Sequence, residues 1–213
     1  MAEPHYETVQ EQFWSGAFGT EYGTRNSSEA LQASSRVFFS NVLGTAFDVT
    51  SILELGANIG LNLVALRQLV PHAELAAVEI NAAAAGELRK LPGVEVYQQS
   101  VLEFAPRRRW DLVFTKGVLI HVAPEKLPIV YDLMAASSAR YVCVCEYYNP
   151  TPVSIPYRGH QDVLFKRDFA GELLDRHPEL ELVNYGFAYH RDAKSPQDDL
   201  TWFLLEKRGR AGA

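Results

Sequence analysis

The stretch that decides the fold is Ser51-Ile-Leu-Glu-Leu-Gly-Ala-Asn-Ile-Gly60. Residues 51–55 are mostly apolar, with Ser51 and Glu54 as the polar exceptions, which predicts a short buried β-strand. Gly56 and Gly60 bracket a tight turn, where glycine permits positive φ or the close approach of a ligand to the main chain. Apolar residues recur at helical spacing after the turn. The stretch therefore predicts a strand–turn–helix unit, which opens nucleotide-binding α/β sheets.

The acid before the first glycine indicates which ligand this turn suits. The spacing is G-x-N-x-G, unlike the G-x-G-x-x-G of dinucleotide enzymes. Glu54 ends the predicted strand, and its carboxylate suits a cationic ligand and would repel a pyrophosphate. S-adenosylmethionine (SAM) carries an ammonium and a sulfonium and has no phosphate. The motif, with Asn58 inside it, favours SAM, and an ordinary turn that binds no ligand is the alternative interpretation.

A second acid lies at the expected distance. The predicted strand 74–80 ends in Val78-Glu-Ile-Asn81, so that Glu79 and Ile80 fall at its carboxyl end. Glu79 lies about 20 residues beyond the glycine turn, the offset at which an acid accepts hydrogen bonds from ribose hydroxyls. Ser100 and Val101 follow the third predicted strand, where such folds contact adenine. We therefore expect all four residues to bind the nucleoside.

Composition excludes several classes of function. The chain has 213 residues, 47% of them hydrophobic, and a formal net charge of −6. One domain is expected, without a membrane span, because no run of about 18 apolar residues occurs. The acidic start is unlike a secretory signal, so we expect a cytoplasmic protein. A nucleic-acid partner is disfavoured, because Arg107 to Arg109 is the only basic cluster and is interpreted as a solvated turn.

The two cysteines, Cys143 and Cys145, lie two residues apart in an apolar run. They are predicted to point to the same side of a strand as buried thiols. A disulfide is disfavoured on geometric grounds, and no metal site is predicted.

The first 46 residues are predicted to form a helical lid that is part of the same domain as residues 47–213. Their aromatic side chains are suited to cover a nucleoside, and an arginine among them could bind a carboxylate of the ligand. A helical layer on the edge of the sheet is the alternative interpretation. The residues concerned are Trp14, Tyr22, Arg25 and Asn26.

Candidate catalytic residues follow the fourth and fifth predicted strands. Lys116 and His121 come directly after the strand 111–115, on the side where open α/β sheets bind ligands. His121 is interpreted either as a general base or as a hydrogen-bonded core residue. The strand 140–147 leads into an insertion, 148–180, whose Pro- and Tyr-rich first part is predicted to be a functional loop. It adds the candidates Tyr147, Tyr148, Asn149 and Tyr157.

Basic residues of the insertion form a second candidate group, since they are able to clamp an acceptor carboxylate. Ion pairing within the insertion is the alternative. The group comprises Arg158, His160, Lys166 and Arg167.

Two late alternating segments, 183–189 and 201–205, are joined by a polar turn and predict an antiparallel hairpin. The predicted fold is therefore α/β and Rossmann-like: a mostly parallel seven-stranded sheet with a C-terminal antiparallel hairpin and an N-terminal helical lid. This is the layout of class I SAM-dependent methyltransferases.

Specific motifs along residues 13–207 resemble those of the pseudaminic acid biosynthesis-associated methylases. The resemblance implies a class I methyltransferase fold and SAM as the cofactor, with Gly56, Asn58, Gly60 and Glu79 around the nucleoside. The name of that family reflects gene neighbourhood and does not establish a substrate. The motifs are Phe13-Trp14, Phe18-Gly19, Tyr22, Arg25-Asn26, Glu54 to Gly60, Val78 to Asn81, Thr115 to His121, Glu146 to Pro150, Tyr157 to His160, Phe165 to Gly171, Tyr185 to Phe187, Tyr189 to Asp192, Asp198-Asp199 and Trp202 to Leu205.

Three hypotheses for function follow. The first is methyl transfer from SAM to a small polar acceptor, such as an acidic sugar or an amino acid. In the second, SAM is the only substrate, and its aminobutyrate arm closes into a small cyclic amino acid with release of methylthioadenosine. The third, a SAM-binding protein without catalysis, is disfavoured because many polar groups converge on the strand ends. The partner is thus a small molecule, and a homodimer is compatible with the sequence.

Overall fold

The computed structural model of the protein describes residues 6–25, 29–160 and 162–209; the side chains of residues 24–30 lie outside this description. One seven-stranded sheet has the order β3-β2-β1-β4-β5-β9-β8. Strands β1 to β5 run parallel, β9 is antiparallel to β5, and β8 is antiparallel to β9. The predicted α/β fold with a C-terminal antiparallel pair is thereby confirmed. The strands are β1 (Ser51–Leu55), β2 (Glu74–Glu79), β3 (Val94–Gln98), β4 (Trp110–Lys116), β5 (Ser138–Glu146), β8 (Leu180–Ala188) and β9 (Leu200–Lys207).

Seven helices accompany the sheet in the described part of the chain, and two hydrophobic clusters bury its faces. One cluster includes Leu53, Val113 and Val142, and the other includes Phe39 and Phe114. None of these helices is long and apolar enough to cross a membrane. The helices are α1 (Val9–Ser15), α2 (Ala17–Arg25), α3 (Glu29–Leu43), α4 (Leu61–Leu69), α5 (Ala82–Leu88), α6 (Leu127–Ser137) and α7 (Phe169–Arg176).

The turn after β1 requires both of its glycines. Gly56 has φ +74°, and a Cβ added there would collide with the side chain of Val118. Gly60 has φ +85°, and its Cβ would collide with Leu88 and Leu91. Positive φ and close packing therefore act together, and larger residues at either position would strain the turn.

The insertion after β5 contains more regular structure than its sequence predicts. Two short strands, β6 (Val153–Ser154) and β7 (Phe165–Lys166), form a separate antiparallel pair. Asp168 caps α7, because its Oδ1 accepts from the Gly171 N–H at 2.8 Å.

Cys143 and Cys145 are buried free thiols on one side of β5, with their Sγ atoms 3.5 Å apart, as predicted. Arg107, Arg108 and Arg109 are exposed between β3 and β4, also as predicted.

Asn81 joins the N-terminal helices to the sheet. Its Oδ1 accepts from the Ala83 and Ala84 N–H groups and so caps α5 at the end of β2. Its Nδ2 lies 3.1–3.2 Å from the carbonyl oxygens of Trp14, Ser15 and Gly16, where α1 ends. One buried amide thus satisfies the N-terminus of one helix and the C-terminus of another.

Asn81→Ala and Asn81→Asp are expected to separate these two roles. Alanine removes the cap of α5, costing about 1 kcal/mol, and leaves buried carbonyl groups of α1 without a donor, costing about 1–3 kcal/mol. Aspartate retains the cap but cannot donate to α1. Hydrogen exchange should therefore show loss of amide protection in α1 and α2 in both variants, and in α5 only in Asn81→Ala. Unchanged protection of α1 in both would contradict this role of Asn81.

Candidate functional site

A cavity of about 540 Å³ lies beyond the carboxyl ends of the parallel strands. The ends of β1, β2 and β4 form its floor, through Glu54, Glu79 and Lys116. Side chains of α1 and α2 and of the insertion form its remaining walls. The insertion thus contributes to the cavity of its own chain, through Tyr157, Arg158 and Leu164.

Glu79 is held in place by backbone donors at the tip of β2. Its Oε2 accepts from the Asn58 N–H, and its Oε1 accepts from the Asn81 N–H, each at 2.7 Å. Burial raises the pKa of Glu79, while these hydrogen bonds favour the charged form. Gly56, Asn58 and Ile80 line the cavity beside it. Gly60 does not line the cavity, and it packs instead against Leu88 and Leu91.

Glu54 is connected to Lys116 through a residue that the sequence did not single out. The Asn62 Nδ2 donates to Glu54 Oε1 at 2.7 Å, and the Lys116 Nζ lies 3.4 Å from Asn62 Oδ1. Burial raises the pKa of Glu54 from 4.5 to about 8, although Asn62 and Lys116 lower it. The charged carboxylate expected at this position is therefore protonated near neutral pH in the protein alone. Burial lowers the pKa of Lys116, whose ammonium lies 5.3 Å from the Phe38 ring centroid.

Three buried polar atoms of the cavity wall have no hydrogen-bond partner among the described residues: Trp14 Nε1, Glu54 Oε2 and Asn58 Oδ1. Leaving such atoms unpaired costs on the order of 1–3 kcal/mol each. These atoms have almost no accessible surface, so a ligand would reach them only if the side chains moved. The wall is polar in any case, since Glu54, Glu79 and Lys116 line it.

Ser100, at the end of β3, is bound by an acid from the first helix. The Ser100 hydroxyl donates to Glu11 Oε1 at 2.5 Å, and Glu11 Oε2 accepts from the Thr8 N–H at 2.9 Å. Glu11 is buried and lines the cavity together with Ser100 and Val101. In the sequence, Thr8-x-x-Glu11 is a capping box, which marks a helix start but does not indicate a ligand site.

Two of the residues predicted to form a lid, Trp14 and Tyr22, lie in the cavity wall. The Trp14 ring lies 5.3 Å from the Tyr22 ring and 4.6 Å from the His121 ring, between centroids. The Arg25 side chain and Asn26 lie outside the described residues.

His121 is a neutral imidazole with a defined tautomer. Its Nδ1 lies 2.6 Å from the Val163 carbonyl oxygen, which can only accept, so Nδ1 carries the proton and Nε2 is the acceptor. Burial lowers the pKa of His121 to about 4. It therefore stays neutral at physiological pH and accepts hydrogen bonds, but it is a weak base.

The loop that carries His121 is fixed by Glu146, which the sequence placed in a motif but not among the site residues. The Val118 and Leu119 N–H groups donate to Glu146 Oε1 at 3.1 Å each, and the Ile120 N–H donates to Oε2 at 3.4 Å. Burial raises the pKa of Glu146 to about 7, while these donors oppose the shift.

The candidate tyrosines divide into two groups. Tyr147 and Tyr157 line the cavity, and Asp198 belongs to the same wall. Burial first, and Asp198 next, raise the pKa of Tyr147. Tyr148 and Asn149 do not line the cavity: Tyr148 is 43% exposed, and the Asn149 amide donates to the Thr151 carbonyl at 2.5 Å.

Of the four basic candidates, only Arg158 lines the cavity. His160 contacts the Phe13 ring at 4.9 Å between centroids. The Lys166 ammonium lies 5.0 Å from the Tyr147 ring centroid, and Arg167 forms an ion pair with Glu172 at 2.7 Å. The basic groups are thus spread over several contacts instead of converging as a clamp.

A search of the described residues finds no group of three His, Cys, Asp or Glu side chains able to hold a metal ion.

The fold has many relatives among solved structures. Magnesium protoporphyrin IX methyltransferase (ChlM) from Synechocystis PCC 6803, with bound SAH, matches with a TM-score of 0.68 and 13% identity, over 95% of this chain and 100% of that one. The plantazolicin methyltransferase BpumL, in complex with SAH, gives 0.66 and 12%, over 93% and 94%. The N-methyltransferase NodS from Bradyrhizobium japonicum WM9 gives 0.61 and 16%, over 82% and 96%.

At these identities the likeness shows the fold alone, which is the Rossmann-like fold of class I methyltransferases, as predicted. No protein-family model and no curated protein sequence matches the chain.

Glu54 should make the stability of the protein depend on pH. The pKa of Glu54 is about 8 in the folded chain and 4.5 in the unfolded chain, so between these pH values the folded chain binds more protons than the unfolded chain. The free energy of unfolding should therefore fall as pH rises through this window. Glu54→Gln cannot ionise, so its free energy of unfolding in urea should depend less steeply on pH, by on the order of 5 kcal/mol across the window.

Glu87→Gln, on the exposed surface of α5, is the matched control and should keep the wild-type slope. If Glu54→Gln followed wild type at every pH, the raised pKa of Glu54 would be refuted.

Proposed function

We propose that the protein binds SAM and transfers its methyl group to a small polar acceptor. The observation that carries this proposal is the pair of buried carboxyl groups, Glu54 and Glu79, at the ends of two adjacent parallel strands on one cavity wall. The methyltransferase fold supports it, since this strand edge is where open α/β sheets bind ligands.

The polar groups of the wall would contact the parts of SAM in the order of the strands β3, β2, β1 and β4. Glu79 would accept from the ribose hydroxyls, and Glu11 with Ser100 would face the adenine amine. Glu54 would meet the ammonium, giving up its proton as the cation approaches. Lys116, joined to Glu54 through Asn62, would meet the carboxylate of the same amino-acid end.

SAM supplies an electrophilic methyl group on a cationic sulfur. The residues would align the acceptor atom at about 3–3.5 Å from that methyl group, which lowers the barrier by fixing orientation. His121 Nε2 is the acceptor nitrogen on the cavity wall, and it would orient an acceptor N–H or O–H group. With a pKa of about 4, His121 is better suited to positioning than to storing a proton.

A second candidate function is the closure of SAM's own aminobutyrate arm. The position of the basic residues favours it, because Lys166, Arg167 and His160 contact other groups and leave a separate acidic acceptor without a clamp. In this reaction the neutral amine attacks Cγ, the Cγ–sulfur bond breaks, and methylthioadenosine leaves. Glu54, as a carboxylate beside the amine, would take the released proton.

The resemblance to the pseudaminic acid biosynthesis-associated methylases also remains a proposal. Several of its motifs lie along this cavity, including residues 54–60, 78–81 and 115–121. An acidic sugar or an amino acid as acceptor rests on that resemblance and on the two cations of the wall, Arg158 and Lys116.

The products should decide between these functions. We expect the pure protein to bind SAM in calorimetry, and to form S-adenosylhomocysteine only when an acceptor from a panel of amines, amino acids and acidic sugars is added. Liquid chromatography with mass spectrometry identifies the nucleoside. Methylthioadenosine from SAM alone, above the rate without protein, would establish the second function and remove the first.

Absence of SAM binding would refute both functions. As a control for the site, Glu79→Ala should weaken SAM binding, whereas Glu87→Ala on the surface of α5 should not.

Glu11 should determine which base the cavity accepts. A carboxylate accepts from the 6-amino group of adenine but repels the 6-oxo group of hypoxanthine, so the wild type should bind S-adenosylhomocysteine at least about tenfold more tightly than S-inosylhomocysteine. Glu11→Gln can donate to the oxo group, so the ratio should fall towards one. Calorimetry with both compounds gives the ratio.

Glutamine also occurs at this position of capping boxes, so helix α1 should form in Glu11→Gln. Glu7→Gln removes a charge from an exposed residue of the same segment and should keep the wild-type ratio. An unchanged ratio in Glu11→Gln would exclude Glu11 from base recognition while leaving SAM binding intact.

A further inference from the structure

Strands β8 and β9 present an uncovered aromatic face at the edge of the sheet. Its members are Tyr148, Tyr185, Phe187, Tyr189 and Phe203, and we call this set the aromatic face. Tyr185 is 65% exposed and Phe187 is 60% exposed. Monomeric proteins seldom expose aromatic side chains so fully in one contiguous group.

The members of the aromatic face contact one another. The Phe203 ring lies 6.0 Å from that of Tyr148 and 6.2 Å from that of Tyr185, between centroids. Phe187 and Tyr189 are 6.1 Å apart. Since residues two apart on a strand share a face, Tyr185 and Phe187 continue the same surface.

The layout of the helices explains why this surface is uncovered. Helix α7 buries the beginning of β8, because Leu173, Leu180 and Leu205 belong to one buried cluster. The opposite face of β8 is used inside the molecule, where Gly186 lies against the Trp202 ring. Beyond Leu180, the side of β8 that carries Tyr185 and Phe187 remains exposed.

The exposed area is large enough for a pairwise interface. Aromatic side chains bury about 150–250 Å² each, so the exposed fractions of Tyr148, Tyr185, Phe187 and Tyr189 amount to roughly 400 Å². Leu182, which is 47% exposed and pairs with Leu205 of β9, extends the patch on the same side of the sheet. Two such surfaces facing each other would bury about 1,000 Å², the lower bound for a specific interface.

We propose that the aromatic face binds the same face of a second copy of this chain, related by a twofold axis. Leu182 to Tyr189 contain no charged residue, so the strand offers nothing that would select a nucleic acid or a charged membrane. A surface that is uncharged and aromatic throughout is complementary to itself, which a twofold interface requires.

The two copies pack face to face, without extending the sheet from edge to edge. The Tyr185 N–H of edge strand β8 already donates to the Asn184 side-chain oxygen at 2.9 Å. This bond occupies an edge donor that an added strand would need.

Sedimentation velocity over about 1–100 µM protein tests this proposal, because an interface of about 1,000 Å² lies at the small, weakly binding end of specific interfaces. The wild type should shift from monomer to dimer, and Tyr185→Asp/Phe187→Asp should remain monomeric. The matched control is Val37→Asp/Ile129→Asp, which places two charges at exposed apolar positions of α3 and α6 and should still dimerise.

Phe187→Ser alone, a milder change, should raise the dissociation constant at least about tenfold without altering circular dichroism or the melting temperature. A wild type that stays monomeric, or a Tyr185→Asp/Phe187→Asp variant that still dimerises, would overturn the proposal. So would a monomeric wild type that co-sediments with phosphatidylcholine vesicles, because the face would then bind a lipid surface. None of these outcomes depends on SAM binding.

Discussion

The side chain of Asn81 is the interaction on which the arrangement of the site depends. It ends β2 next to Glu79, begins α5 through its Oδ1, and holds the end of α1 through its Nδ2. The strand that positions the acid and the helix that covers it are therefore fixed by one amide. Because α1 has only two turns, it would be marginal without such contacts. The position of α1 beside the cavity therefore depends on its contact with Asn81 at the edge of the sheet as well as on its own sequence.

Buried acids dominate the electrostatics of this edge. Glu54, Glu79 and Glu146 all lie at strand ends, and burial raises the pKa of each. They differ in the hydrogen-bond donors that counteract this rise in pKa. Backbone N–H groups do so for Glu79 and Glu146, and the Asn62 side-chain amide does so for Glu54. Glu54 alone has an oxygen without a partner among the described residues of this set. Glu54 is therefore the least satisfied of the three carboxyl groups.

Local patterns in the sequence predicted the fold and the floor of the cavity. They could not predict contacts between segments that are distant along the chain. Gly56, Glu54 and Glu79 belong to one strand–turn–helix unit and the strand after it, so spacing along the chain was enough to place them. Glu11 and Ser100 are 89 positions apart, and Asp198 reaches Tyr147 from a loop between two late strands. Lys166 and Arg167 were predicted to clamp a carboxylate because the sequence gives their charges. It does not give their contacts with Tyr147 and Glu172.

The N-terminal helices and the insertion contact each other beside the cavity, and both line its wall. The Gln10 side chain donates to the Asp162 carbonyl at 2.8 Å, and the Phe18 ring lies 6.1 Å from that of Tyr157. These contacts connect α1 and α2 to the insertion directly above His121. A ligand in the cavity would lie against these aromatic walls and be partly shielded from water, which would strengthen its electrostatic contacts with Glu54 and Lys116. Neutral His121 suits such an enclosed, aromatic environment, because a charged imidazole would lose its hydration there without gaining a partner.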